Sequence, residues 1–210
     1  VNTSSAAPFT EPSPMPLGQP ASATVYEMRT LSTDAERAEA VALVQDRQRW
    51  LSVRGLRVPA RADIPALFRD PQSVPAGLFE DGLLRACMVP QRMSSHGWWD
   101  KGSCLFLSCV HTLPGQGDNT VQLITLWASD FAARLGLPLV RAEVFARDPL
   151  HDDPIAPFLR RVIDMGWNLQ GTGMGQHGEP VARLELIADR RPGLRALIGC
   201  QVQTPQPAPA

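Results

Sequence analysis

His111 ends the apolar run SCLFLSCVH (103–111), and Cys109 stands two residues earlier, on the same face of any strand the run forms. A histidine there is a candidate general base near neutral pH; one bonded locally at a strand end needs no chemistry. Cys109 as a thiolate would be a nucleophile able to carry a covalent intermediate; protonated, it is a packed core thiol, the simpler reading. Just beyond, PGQGDN (114–119) leads into a helical pattern. Glycine-rich backbone ahead of a helix offers converging N–H groups and the positive end of the helix dipole, which together attract a phosphate. The same residues also read as an ordinary turn and helix cap. Trp98-Trp99-Asp100 has the aromatic surface to shape a small-molecule pocket or to lid a core. His151-Asp152-Asp153 has the side chains of a metal cluster, but consecutive carboxylates before Pro154 fit a helix cap better, and no metal site is expected.

The chain that must position these groups has 210 residues, enough for one domain with a proper core. A net charge of −1 gives no global field to recruit nucleic acid or an anionic membrane, so neither is expected as a partner. Cys87, Cys104, Cys109 and Cys200 lack any C-x-x-C spacing, and three lie in apolar strand-like segments, which reads as buried reduced thiols. No apolar run approaches the ~18–20 residues of a membrane span, and no basic-then-apolar leader is present. These features point to the cytoplasm.

Residues 1–23 are rich in Pro, Ser and Thr and read as an extended arm; the folded body is expected at 24–190, with 191–210 as an extension and flexible tail. VYEMRTL (25–31) alternates like a strand. Thr33 and Glu36 have capping-box spacing, and the helix they open places Ala40, Leu43, Val44, Arg47, Trp50 and Leu51 on one face, with Gly55 past its end. ADIPALFRD is a short second helix with Pro65 in its first turn. Asp81-Gly82 between apolar runs signals a hairpin, and Pro90 argues for an edge or bulge in its second strand. The run 103–111 is apolar on both faces, as in a central strand. A long helix (119–136) follows, closed by Gly136, then a buried strand (137–146). A short helix (153–167) closes at Gly166, and a final strand pair completes the order. The β-α-β step through the long helix makes its two strands parallel.

This order resembles the GCN5-related N-acetyltransferase (GNAT) superfamily. RQRWLSVRGL (47–56) resembles the "RWL..RGI" pattern of its first helix. LITLWASDFAARLGLPLVRAEVF (123–145) is similar to its core helix, "A..LG" ending and following strand. PIAPFLRRVIDMGW resembles the helix after that. Together the likeness spans about residues 24–188. It implies an α/β (α+β) fold with a mixed sheet of six to seven strands and about four helices. It also implies an acyl-CoA co-substrate, most simply acetyl-CoA, and N-acyl transfer to a small-molecule or peptide amine. Many members dimerise, so the resemblance allows a homodimer.

By the same resemblance, Cys109, Val110 and His111 lie beside the pantetheine arm, with His111 as candidate proton acceptor. Gln116, Gly117, Asp118, Asn119, Thr120 and Val121 fall on the pyrophosphate signature [Q/R]-x-x-G-x-[G/A]. Gln116 fits its first position, while Asn119 and Val121 replace the glycine and the small residue. A second register, through Gly115-Gln116-Gly117 with Thr112 in the Gln/Arg place, lengthens the loop. The family's carboxylate on the fourth strand is absent. Leu159 or Val162 stands where its tyrosine acid would be, and the only tyrosine is Tyr26, on the first strand. A binding module that has lost catalysis is the alternative reading.

Overall fold

A computed structural model describes residues 24–56, 58, 63–94, 102–115, 118–176 and 178–205. The arm 1–23, Trp98-Trp99-Asp100 and the pair Gln116-Gly117 lie outside them.

The chain begins with β1 (Tyr26–Thr30) and α1 (Asp34–Val53). Thr33 opens α1 through the expected reciprocal cap: its hydroxyl accepts from the Glu36 amide at 3.2 Å, and the Glu36 carboxylate accepts from the Thr33 amide at 3.1 Å. α2 (Ile64–Arg69) carries Pro65 in its first turn. β2 (Ala76–Glu80) and β3 (Leu83–Met93) form a hairpin whose two turn residues both have positive φ, Asp81 at 50° and Gly82 at 81°. Those angles match the twist of the flanking strands. β4 (Cys104–Thr112), α3 (Asp118–Arg134) and β5 (Leu139–Phe145) form the β-α-β step. A 3-10 turn at Leu150–Asp152 leads to α4 (Ala156–Asp164), β6 (Asn168–Met174) and β7 (Pro180–Ile187), and α5 (Leu194–Leu197) runs into β8 (Ile198–Gln201).

All eight strands join one mixed sheet in the order β6-β7-β5-β4-β3-β2-β1-β8. β4–β5 and β1–β8 are parallel, and the other neighbours are antiparallel. Alternate residues of the strands feed two separate cores. Leu78, Met88, Leu105, Leu107, Val140 and Ala142 pack with α3, α4 and α5, whereas Phe79, Cys87 and Val89 pack with α1 and α2. The helices therefore cover opposite faces of the sheet.

The strand count and the setting of Pro90 both have physical causes. The sheet has eight strands and the described chain five helices, because α5 and β8 come from the 191–210 extension. Pro90 lies where β3 has run past β2, whose final pair is Ala76 with Met88, so β3 is an edge on that side. The bulge in this region sits on β4, not at the proline.

Candidate functional site

β4 and β5 pair at only three positions, Leu105–Val140, Phe106–Arg141 and Leu107–Ala142. β4 nevertheless runs on to Thr112 and β5 to Phe145, so beyond these pairs the two parallel strands part. The cause is a bulge. On β3, Val89 faces Ser108 and Cys87 faces His111, which leaves one extra residue on β4. Cys109 takes the strain with a φ of 53°, a region non-glycine residues seldom occupy. Leu105 and Leu107 point to the α3 side, and strict alternation would send Cys109 there too. The bulge turns it against the α1-side core instead. His111, opposite Cys87, shares that side. Past Leu107 and Ala142, backbone groups of β4 and β5 that would have bonded each other across the sheet face an opening. An extended amide chain could enter there and complete the ladder.

The first turn of α3 starts just beyond β4. Asp118 and Asn119 are exposed and Thr120 is buried. The Asp118 carboxylate meets the Arg161 guanidinium of α4 at 3.1 Å. Asn119 donates from its side-chain amide to the Tyr26 hydroxyl at 3.1 Å. Val121 packs partly against the α3-side core, which spends much of its branched bulk inward. Gln116 and Gly117, the other two residues of the expected cradle, lie outside the described residues.

His111 and Cys109 are poor acid–base catalysts. Burial first, and the Arg47 guanidinium second, pull His111 from an ordinary 6.5 down to about 4. Its imidazole is neutral near pH 7 and only weakly basic. Burial pushes Cys109 up to about 11, against a smaller opposing hydrogen bond from Ser108, so it remains a thiol, as the packed-core reading expects. Leu159 and Val162 are both 3% exposed, packed in the core under α4. The Asp153 carboxylate ties the turn before α4 by accepting from the Arg147 and Ile155 amides. It binds that turn and not the helix's own first N–H groups. Among the described residues no group of His, Cys, Asp or Glu is assembled to hold a metal ion. No described helix is long and apolar enough to cross a membrane.

The His111 shift fixes a pH dependence. The folded state refuses a proton that the unfolded chain accepts, so stability falls as pH drops from 6.5 toward 4. Screening of this partly exposed ring leaves an effect of about 1–2 kcal/mol. His111→Asn should flatten that limb in urea melts taken across the window. An acid limb of unchanged steepness would contradict the assignment.

Two contributors escaped the sequence reading. Tyr26 appeared only as a tyrosine in the wrong element, and its link to Asn119 spans 93 positions. Glu143 lies on β5 one residue past the last pair with β4, where its carboxylate accepts from the Gln176 amide at 3.2 Å. A carboxylate inside the apolar segment LVRAEVF is the signal the sequence offers for it.

No protein-family model matches the sequence, and no curated protein does either. Many solved structures match the fold. A GNAT-family acetyltransferase from Streptococcus agalactiae superposes with a TM-score of 0.57 at 13% identity, over 79% of this chain and 96% of that one. FeeM, an N-acyl amino acid synthase from uncultured soil microbes, gives 0.54 at 12% over 84% and 97%. AAC(6')-Ib, solved with paromomycin and acetyl-CoA, gives 0.52 at 14% over 78% and 93%. The chain has the GNAT fold. Within this GNAT fold the parting of β4 from β5 and the start of α3 lie at the same end of the sheet, and both border the end of β4.

Proposed function

We propose that this GNAT-fold chain is an acyl-coenzyme A-dependent N-acyltransferase, most simply using acetyl-CoA, that acts on a small-molecule or peptide amine by direct attack on the thioester. The observation that carries this reading is the opening between β4 and β5 beyond Leu107 and Ala142, with a helix N-terminus at its end. Backbone groups of Ser108–Val110 would hold the pantetheine arm and orient the acyl carbonyl. The first turn of α3, Asn119–Val121, would hold the pyrophosphate, with Arg161 beside it. The bound coenzyme supplies an activated acyl thioester. The protein's own contribution is alignment and exclusion of water. The amine's proton passes to water, since His111 is too weak a base to take it efficiently. Dimerisation belongs to the same proposal.

Titration calorimetry with acetyl-CoA is the test, followed by thiol release over amines, aminoglycosides and peptides. Binding at tens of micromolar or tighter, about −6 kcal/mol, supports the reading; absence of any binding overturns it. Arg161→Glu should weaken acetyl-CoA binding about tenfold at low ionic strength, and less as salt rises. Unaltered affinity would remove Arg161 and the α3 terminus from the site.

One observation favours a second reading, a binding module without turnover. Leu159 and Val162 are buried, Cys109 is held as a thiol and His111 is weakly basic, so the expected acid is not replaced by any of them. Tight acetyl-CoA binding with no thiol release on the full amine panel would establish it.

A further inference from the structure

We infer that Tyr26 is a positioning residue for the coenzyme-binding turn: its hydroxyl holds the Asn119 side chain off the α3 N-terminus, which lets an asparagine stand where the pyrophosphate signature has glycine. This rests on the reading of α3 proposed above and adds to it a residue from β1, three strands away from β4.

The argument starts from what a free asparagine does in the first turn of a helix. Its side-chain oxygen accepts from nearby backbone N–H groups, which is why the residue is favoured at caps. Those N–H groups are the donors a pyrophosphate would need. An untethered Asn119 would therefore compete with the ligand for the same hydrogen bonds, a difficulty glycine never presents. In the structure its side chain is committed elsewhere. The amide nitrogen lies 3.1 Å from the Tyr26 oxygen, which lies 2.9 Å from one oxygen of Glu80. The second Glu80 oxygen is 2.7 Å from the Arg85 guanidinium.

The sense of each bond is fixed by chemistry. An ionised carboxylate only accepts, so Tyr26 gives its single proton to Glu80, and its oxygen is left to accept from the amide end of Asn119. The Glu80 hydrogen bond, desolvation and the Glu80 charge raise the Tyr26 pKa, which keeps the phenol protonated and the relay intact well above neutral pH. The tether thus draws on β1, β2 and β3 to control one side chain of α3.

A merely structural bond and a positioning bond differ in how they depend on Asn119. Tyr26→Phe should weaken acetyl-CoA binding about fivefold in the parent chain, the scale of one lost hydrogen bond. In an Asn119→Gly background the same change should leave affinity unaltered, because there is no side chain left to hold. Melting temperatures of all four proteins show that each is folded, and titrations are run at matched salt. An equal loss in both backgrounds, or none in the parent, overturns the inference while leaving the proposed function standing. A parent chain that binds no acetyl-CoA overturns both. Should Tyr26→Phe be too unstable to titrate, Asn119→Gly alone decides. Affinity within about twofold of the parent supports a side chain already held aside. A gain of tenfold or more shows that it obstructs the turn, and overturns the inference.

Discussion

Trp127→Ala lowers the unfolding free energy by about 3–5 kcal/mol and the melting temperature by roughly 10 °C, measured by calorimetry. Trp127 is 1% exposed and stacks on Phe131 with ring centroids 5.1 Å apart and planes at 16°. It fills the space between α3 and the strands that border the opening, where no neighbour can expand to replace an indole. The complementary change is far milder. The Trp127 indole N–H has no acceptor among the described residues, so Trp127→Phe sheds a desolvated polar group along with some volume and costs about 1 kcal/mol or less. Trp167→Phe, by contrast, breaks a 3.0 Å bond to the buried Thr125 hydroxyl. A Trp127→Ala protein that melts within a degree or two of the parent would refute this packing of α3.

Glu185→Ala costs about 3 kcal/mol, through a charge and not a cavity. Arg141 is 1% exposed, in the middle of β5, and its guanidinium meets Glu185 directly across on β7 at 3.0 Å. Removing the carboxylate takes the Glu185 charge away from a desolvated cation, and the hydrogen bond between Arg141 and the Cys104 thiol carries no compensating charge. Glu185→Gln retains an acceptor of the same shape and should fall between the two in urea-denaturation midpoints. Equal midpoints for all three would mean that the pair contributes nothing to holding β5 against β7.

The fold was legible wherever a local signal coincided with a tertiary need. The Thr33–Glu36 cap, the Asp81-Gly82 turn, and Gly136 and Gly166, each at positive φ beyond a helix, all stand where their residue types place them. β8 was not legible. Its four residues, IGCQ, carry no alternation long enough to read, and they form a strand only because β1 presents an open edge. Of the candidate site, Cys109–His111 lie at the end of β4 and Asp118–Val121 at the start of α3, the elements that their local patterns indicate. The bulge that opens it was hidden, because CLFLSCVH reads as an unbroken strand and Cys109 is no glycine. His111 looked poised for proton transfer because the sequence cannot show the burial and the Arg47 charge that lower its pKa. Tyr26 was invisible as a partner of α3 for a related reason: hydrogen bonds between distant elements leave no periodicity to detect.

The pairing of β8 with β1 also sets a schedule for biosynthesis. Tyr26 lies beside Ile198, so β1 waits for a neighbour made about 170 residues later. At cellular elongation rates the delay is roughly 10–30 s. Throughout it, the nascent protein exposes a row of unsatisfied amides and carbonyls along β1, to which a strand from another nascent chain on the same message can add. A ribosome stalled before Ile198 would leave that edge exposed indefinitely. β8 covers that edge and becomes the border of the sheet in its turn, offering a four-residue template in place of the five residues of β1.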